Sequence, residues 1–225
     1  MICCASHTGT RRNLAAMRNA GWGLLVSRGD NRTHWNTAGF ARWVGDNGAW
    51  SDHRAGRAFD EDEYEQFLEW VEAQATVPDW LVLPDVVAGG TASLALSARY
   101  RNRCQAVAPL VLIAVQDGME DAHLEPLVGP AVGIFLGGST AWKLARMGYW
   151  GEFCAARRLH YHVARVNTAK RMFMAIAAGA DSVDGSSASR YAVTLPMLDQ
   201  ASRHRDLFSP RSEERTSAQD GGIAE

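Results

Sequence analysis

The sequence has little of what marks a metal centre, a secreted scaffold or a membrane protein. It contains four cysteines in 225 residues. Cys3, Cys4, Cys104 and Cys154 lack the paired spacing of a zinc site, and free thiols favour a reducing compartment. No segment reaches membrane-spanning length, and the first six residues are too short for a signal h-region. We therefore expect a cytoplasmic protein without a metal or other cofactor.

The sequence also lacks an excess of charge of either sign. Its 23 basic and 25 acidic side chains leave a net charge of −2, so any contact with nucleic acid must come from a local basic patch. Hydrophobic residues make up 47% and charged residues 21%, which is typical of a globular protein with a sizeable core. The length allows one large domain or two small ones.

Short apolar runs alternate with helix-period segments along most of the chain. In the segment 61–75, Tyr64, Phe67, Leu68 and Val71 have the i, i+3, i+4, i+7 spacing of an amphipathic helix. A second helix is predicted over 168–178, with Thr168 as its N-cap and Gly179 at its end. The strand-like runs are 2–5, 22–27, 40–45, 80–84, 110–115, 132–136, 160–166 and 181–184.

Eight strands with intervening helices in this length predict a compact (β/α)8 barrel, an α/β fold of the TIM-barrel type. The alternative is an open doubly wound sheet, but no GxGxxG motif follows the first strand. No linker divides the chain, so we expect a single domain over 1–209. Residues 210–225 are polar and small without an apolar period, which predicts a disordered tail.

Four polar side chains end apolar runs of the same kind. They are Asp46, Asp85, Gln116 and Asp184. Because the carboxyl ends of barrel strands converge on one mouth, we expect these side chains to share a site. A carboxylate at a buried strand end suits a nucleophile or a general base, although Asp184 could instead cap the next helix.

The predicted mouth also offers groups that match the hydrogen-bonding edge of a purine. A carboxylate accepts from N1–H and the amino group, whereas amide groups donate to the carbonyl oxygen. Gly137 and Gly138 end another strand and let a ligand approach their N–H groups, and Trp50 offers a stacking face. The alternatives are a simple turn at the glycines and a core position for the tryptophan.

These segments resemble the tRNA-guanine transglycosylase superfamily, and within it the 7-deazaguanine DNA transglycosylases of phages and bacteria. The segment 46–50, DNGAW, is similar to the family's DSGGF, and 115–118, VQDG, to VQGG. The segment 136–138 resembles the LGG tip, and 160–161 followed by 179–184, GADSVD, resembles the HY…GIDMFD stretch. Arg190 falls at the arginine of the DCVxPTR motif. The resemblance covers roughly residues 2–195 in unbroken order.

The resemblance implies a glycosyltransferase that replaces guanine in a polynucleotide. Asp184 would be the nucleophile at C1′, and Asp46 the acid–base partner. The residues implied to contact the base are Asp85, Gln116, Gly137 and Gly138 at its edge, with Trp50 on one face and Val163 on the other.

The departures from the family bear on the substrate. The tRNA enzymes carry a CxCxxC…H zinc subdomain after the nucleophile, but no cysteine follows Cys154. The resemblance therefore implies DNA and a free 7-deazaguanine, such as 7-cyano-7-deazaguanine, as substrates, in bacterial cytoplasm if the gene is phage-borne. The alternatives are the same exchange on tRNA and a barrel that binds purines or DNA without catalysis.

Basic residues cluster in segments that follow the predicted strands. Surface charge is the default for each, but their placement near one mouth predicts contacts with a phosphate backbone. These residues are Arg28, Arg32, Arg54, Arg57, Lys143, Arg146, Arg165 and Arg190.

Overall fold

The computed structural model describes residues 1–7 and 10–204. Within them the strands are β1 Ile2–Ser6, β2 Gly23–Ser27, β3 Trp43–Asp46, β4 Leu81–Val82, β5 Val111–Val115, β6 Val132–Leu136, β7 Tyr161–Val163 and β8 Ser182–Gly185. The α-helices are α1 Arg11–Asn19, α2 Ala49–Arg54, α3 Glu61–Glu72, α4 Ser93–Gln105, α5 Asp121–Leu124, α6 Thr140–Arg157, α7 Ala169–Ala177, α8 Ser187–Arg190 and α9 Thr194–Arg203. The predicted tail, 210–225, lies outside the described residues.

The eight strands form a closed parallel barrel in chain order. β1 pairs with β8 as well as with β2, and Cys4 lies opposite Asp184 in the closing register. With helices between the strands, this architecture is the predicted (β/α)8 barrel, so the fold prediction is confirmed.

Two predicted strands extend three residues beyond the sheet at one end, and the predicted run 80–84 is shortened to Leu81–Val82. The run 40–45 enters the sheet only at Trp43, because a turn through Gly39, with φ +78°, occupies the preceding residues. The run 160–166 leaves the sheet after Val163, because Arg165 has φ +58° and cannot continue an extended strand.

The two helices predicted in detail are confirmed, each within three residues of its expected ends. In α3 the Asp60 carboxylate accepts from the Glu63 N–H at 2.9 Å, and the four predicted apolar side chains are all buried. In α7 the Thr168 hydroxyl caps the first turn, and Gly179 follows the helix with φ +75°. Local capping and period therefore decide where these helices lie.

Two apolar clusters pack against the two faces of the sheet. The larger lies between the barrel and its helices. The smaller fills the inside of the barrel with Cys4, Leu25, Val44, Trp80, Val82, Leu112 and Ala114. The barrel is therefore a packed core, as in other barrels of this class, and a ligand can enter only at its ends. Among the described residues, no helix has the length and hydropathy needed to cross a bilayer.

Candidate active site

The inward-facing side chains change from apolar to polar at the carboxyl end of the barrel. Successive strand residues point to opposite faces, so the residue two after an inward apolar side chain is also inward. Leu25 is thus followed by Ser27, Val44 by Asp46 and Ala114 by Gln116. This alternation builds a polar mouth above an apolar floor, where the sequence predicted the site.

Asp184 is buried at the inner face of β8 and is held by two donors. Its Oδ2 lies 3.0 Å from Nε2 of His162, and its Oδ1 accepts from the backbone N–H of Arg165 at 2.8 Å. The alternative of a helix cap does not hold, because Asn167 Oδ1 accepts from the N–H groups of Ser186 and Ser187 at the start of α8. Asp184 instead faces the mouth.

Asp46 ends β3 and faces the same mouth. Its Oδ2 accepts from the Ser27 hydroxyl at 2.8 Å and from the Gly48 N–H at 3.1 Å. Gly48 has φ +75° and passes so close to Gly29 that an added Cβ would lie 2.5 Å from the Gly29 nitrogen. Glycine at this position therefore lets the chain fold back onto its own carboxylate.

The surroundings shift the two carboxyl groups in opposite directions. Burial raises the pKa of Asp46 and outweighs the lowering effect of the Ser27 hydrogen bond, and the charge of Asp184 adds to the rise. Burial also acts to raise the pKa of Asp184, but the hydrogen bond and charge of His162, with the Arg165 N–H and Lys143, lower it overall. One group therefore favours the anion and the other retains a proton more readily, which is the division expected of a nucleophile and a proton carrier.

Asp85 and Gln116 form a hydrogen-bonded unit beside this pair. Gln116 Nε2 lies 2.9 Å from Asp85 Oδ2 and also within reach of the Val86 carbonyl, while Asn47 Nδ2 donates to Asp85 Oδ1 at 2.7 Å. Burial raises the pKa of Asp85 to about 7, although the Asn47 hydrogen bond opposes the rise. The carboxylate is therefore oriented by two amides and ionises near neutral pH.

The two glycines after β6 have different uses. The Gly137 N–H donates to the Val115 carbonyl at 3.0 Å, so the sheet already occupies it and it does not serve a ligand. Gly138 has φ +72°, and a Cβ there would lie 2.7 Å from Asp117 Oδ2 and 2.8 Å from the Trp142 ring. The predicted base contact can therefore be kept for Gly138 and not for the Gly137 N–H.

Trp50 lies on α2 at the rim of the mouth and is 46% exposed, so it is not a core residue. The guanidinium carbon of Arg165 lies 4.8 Å from the centroid of its ring, and the same guanidinium donates to the Gly138 carbonyl. A planar cation thus covers one face of the tryptophan that was predicted to stack on a base. Arg165 spans the mouth from Trp50 to the end of β6.

The predicted role of Val163 is wrong. Its neighbour His162 points into the barrel, where its ring stacks on Phe135 with centroids 4.9 Å apart. Val163 therefore points outward, and it is fully buried between the sheet and the helices. It cannot contact a ligand at the mouth.

For two of the eight residues predicted to bind phosphate, Arg28 and Lys143, the predicted role is also wrong. Arg28 is 3% exposed, and its guanidinium is held by Asp52, by Glu63 and by the Asn47 carbonyl. Lys143 is 1% exposed and donates to the Ala164 carbonyl. Burial and the charge of Arg165 lower the pKa of Lys143 to about 8, although Asp184 opposes the change.

The other basic residues remain accessible to different degrees. Arg54 and Arg190 are exposed, and Arg57 is exposed while pairing with Asp52. Arg32 is exposed and contacts Gln66 and Trp35, and Arg146 lies half-buried over the Tyr149 ring. Since α2 and α8 follow β3 and β8, the best-placed exposed candidates for a phosphate backbone are Arg54 on α2, Arg190 on α8, and Arg57 just after α2, which also pairs with Asp52.

Arg28→Ala is expected to lower the free energy of unfolding by about 1.5–3 kcal/mol, because the buried Asp52 carboxylate loses one of its two charged donors and keeps only Arg57. Arg54→Ala is the matched control and should change stability by less than about 0.5 kcal/mol. Chemical denaturation of both variants measures the difference. An Arg28→Ala protein as stable as the wild type would return Arg28 to the candidates for phosphate binding.

Sequence reasoning missed two residues of the site. His162 contacts Asp184, and Asn47 orients Asp85. A signal for the first was present, since His160 and His162 on one strand and Ser182 and Asp184 on the next share the period of two that places side chains on one face. The amide of Asn47 gave no comparable signal.

Within residues 1–7 and 10–204, no group of three or more histidine, cysteine, aspartate or glutamate side chains is arranged to hold a metal ion. Two surface depressions, lined by residues such as Trp22 with Asp199 and Val71 with Pro109, lie at the opposite end of the barrel from the mouth. Compared with known proteins, the chain matches no family model, and no curated protein is similar to it in sequence.

Proposed function

We propose that this protein is a transglycosylase that replaces guanine in DNA with a 7-deazaguanine base through a covalent sugar–enzyme intermediate. The observation that carries the proposal is the Asp46 and Asp184 pair at one mouth, with pKa values shifted in opposite directions. A module that only binds a purine has no need of a second carboxylate held in this way. The sequence resemblance described above supplies the substrate class.

In the first half of the proposed reaction, a carboxylate oxygen of Asp184 attacks C1′ of the target deoxyribose. A C1′–O bond forms, the C1′–N9 bond breaks, and its electron pair leaves with guanine, which takes a proton from Asp46. In the second half, N9 of the incoming base attacks C1′ and gives its proton to Asp46, and Asp184 leaves as a carboxylate. Both carboxyl groups return to their starting states.

Asp85 and Gln116 are the proposed readers of the base. Asp85 accepts from N1–H and the 2-amino group of guanine, and the Gln116 amide, released from Asp85, donates to O6 with the Gly138 N–H. Asn47 already holds the Asp85 carboxylate in place at 2.7 Å. Asp85 and Gln116 are thus preorganised to replace the hydrogen bond between them with hydrogen bonds to the edge of guanine.

Access to this edge requires Arg165 to move. Asp85 and Gln116 are both buried, and the Arg165 side chain covers Trp50 while it donates to the Gly138 carbonyl. An extruded base stacks on Trp50 in place of the guanidinium, which is then free to contact the phosphate beside the target nucleotide.

DNA is proposed as the polymer because the segments 46–50, 115–118 and 136–138 resemble most the 7-deazaguanine DNA transglycosylases. The test incubates the protein with radiolabelled guanine and either DNA or unmodified tRNA. Label is expected in DNA. Label in tRNA alone would make tRNA the substrate. Label in neither polymer, with purines still bound, would favour a barrel that binds purines without catalysis.

Asp85→Ala, assayed in the same way, is expected to lose about 1–3 kcal/mol of transition-state stabilisation, because N1–H and the 2-amino group of guanine lose their acceptor. DNA affinity should be almost unchanged and should fall with salt, as expected of phosphate contacts. The loss should be smaller with hypoxanthine, which lacks the 2-amino group. Equal losses with both bases would remove Asp85 from base reading.

The pH dependence of guanine binding gives an independent check on Asp85. Its pKa near 7 means that the accepting carboxylate forms as pH rises through about 7. The KM for guanine should therefore fall over this interval in the wild type and stay flat in Asp85→Asn, which cannot ionise. A wild-type KM that is flat between pH 6 and 8 would contradict this role.

A further inference from the structure

A chain of four polar side chains crosses the inside of the barrel. His160 Nε2 lies 2.7 Å from the Ser182 hydroxyl, which lies 2.8 Å from His162 Nδ1, and His162 Nε2 lies 3.0 Å from Asp184 Oδ2. Ser182 and His162 are completely buried. These hydrogen-bonded side chains run from the amino end of β7 and β8 to the Asp184 carboxylate at the mouth.

The position of one proton in this series of hydrogen-bonded side chains follows from which atoms can donate and which can only accept. An ionised carboxylate only accepts hydrogen bonds, so Nε2 of His162 must carry a proton whether the imidazole is neutral or charged. In the neutral ring Nδ1 then accepts from the Ser182 hydroxyl, whose oxygen can still accept from His160. Burial, with the charge of His162, lowers the pKa of His160 to about 4, so His160 is neutral near pH 7.

The His162 ring is held in place by packing as well as by hydrogen bonds. It stacks on Phe135 with an interplanar angle of 11°, and its centroid lies 4.6 Å from the edge-on ring of Trp80. Two aromatic neighbours and the Ser182 hydroxyl together allow one ring orientation, in which Nε2 points at Asp184. A histidine that only filled space would not need its two nitrogens matched to a hydroxyl and a carboxylate.

We propose that His162 is the positioning residue for the nucleophile, holding the Asp184 carboxylate in one rotamer and in its ionised form, with Ser182 fixing the imidazole. This inference rests on the proposed function for its catalytic consequence, but not for its structural content. The Arg165 N–H holds the other carboxylate oxygen, so each oxygen keeps a lone pair for attack on C1′.

Other charged and titratable groups also face Asp184 and must be considered in any pH dependence. Lys143 of α6 and Arg165 favour its anion, whereas Asp46 and the buried Cys4 thiol disfavour the second negative charge. All four side chains are present in the wild type and in every His162 variant. A shift seen on replacement therefore reports the histidine itself.

The test compares His162→Phe, which keeps an aromatic ring between Phe135 and Trp80, with His162→Gln, which keeps an N–H near the position of Nε2. The full-length protein is labelled with ¹³C-carboxyl aspartate, and the Asp184 signal is assigned by its absence in Asp184→Asn. In His162→Phe the titration of this signal should move to higher pH, because burial then acts with less opposition. In His162→Gln it should move back towards the wild-type position.

The acid limb of the kcat profile for guanine exchange should move with the carboxyl titration. A tenfold rise in the proton affinity of Asp184 lowers the rate at any fixed pH on that limb tenfold. Ser182→Ala should shift the Asp184 titration and the acid limb in the same direction, but by less. If His162→Phe does not fold, Ser182→Ala takes its place in the test. An unchanged Asp184 titration in folded His162→Phe or Ser182→Ala overturns the proposal. If the Asp184 titration shifts in the variants but the wild type shows no guanine exchange, the positioning role of His162 is upheld and the transglycosylase function is rejected.

Discussion

Asp184→Asn is expected to lower the rate of guanine exchange by at least about 10³-fold, since the amide cannot form the bond to C1′ and the remaining groups offer no substitute nucleophile. The fold should persist, because the asparagine oxygen can still accept from His162 or from the Arg165 N–H, which hold the carboxylate in the wild type. The measurement is the rate of labelled guanine uptake into DNA under saturating conditions.

The control for Asp184→Asn is its affinity for DNA and its thermal unfolding. DNA affinity should be unchanged, because phosphate contacts are assigned to Arg54, Arg57 and Arg190 on exposed segments. A modest loss of stability is expected, since the new NH₂ group faces one of the two donors that held the carboxylate. Exchange within tenfold of the wild type in a folded Asp184→Asn protein would move the nucleophile elsewhere.

Asp46→Asn is expected to lower exchange by about 10²–10⁴-fold, the usual contribution of a positioned general acid–base group. Guanine leaves poorly as an anion, so loss of the proton donor slows the first half of the reaction. The raised pKa of Asp46, caused by burial and by the charge of Asp184, makes it the group of the pair that can hold this proton. The kinetics of base release from DNA measure the effect.

A DNA substrate with N7-methylguanine at the target separates the two carboxyl groups. This base is already cationic and leaves without further protonation. Relative to the wild type, Asp46→Asn should therefore recover release of the methylated base, whereas Asp184→Asn should stay inactive on both substrates. If Asp46→Asn were equally impaired with both bases, Asp46 would not be the proton donor.

The sequence predicted the barrel and most of the mouth for a simple physical reason. A polar residue that follows an inward apolar residue by two positions has to face inward at the strand end, and Asp46 and Gln116 both obey this period. Since parallel strands in a closed barrel all end at one side, their order along the chain is enough to bring these side chains together.

The wrong assignments have equally specific causes. Val163 differs from His162 by one position, and a shift of one residue on a strand moves a side chain to the other face. Arg28 and Lys143 follow strands as expected, but whether a long side chain turns towards solvent depends on partners distant in the sequence. Asp52 lies 24 residues after Arg28, and the Ala164 carbonyl lies 21 after Lys143.

His162 lies on a strand face that the period of two in the sequence already indicates. His160, just before β7, and His162 on β7 lie two apart, as do Ser182 and Asp184 on β8, and the register places His162 opposite Ser182. The sequence therefore contained the shared face. What it could not supply was the register of β7 against β8, on which the 3.0 Å approach of His162 to Asp184 depends.

The most direct test of the central claim is the site of the covalent sugar–enzyme bond. Wild-type protein is incubated with a guanine-containing oligonucleotide, quenched, treated with nuclease and trypsin, and analysed by mass spectrometry. The account predicts a deoxyribose adduct on the tryptic peptide 172–190, localised by fragmentation to Asp184 and not Asp181, and absent in Asp184→Asn. An adduct on the peptide 43–54, which contains Asp46, or base exchange without any adduct, would contradict it.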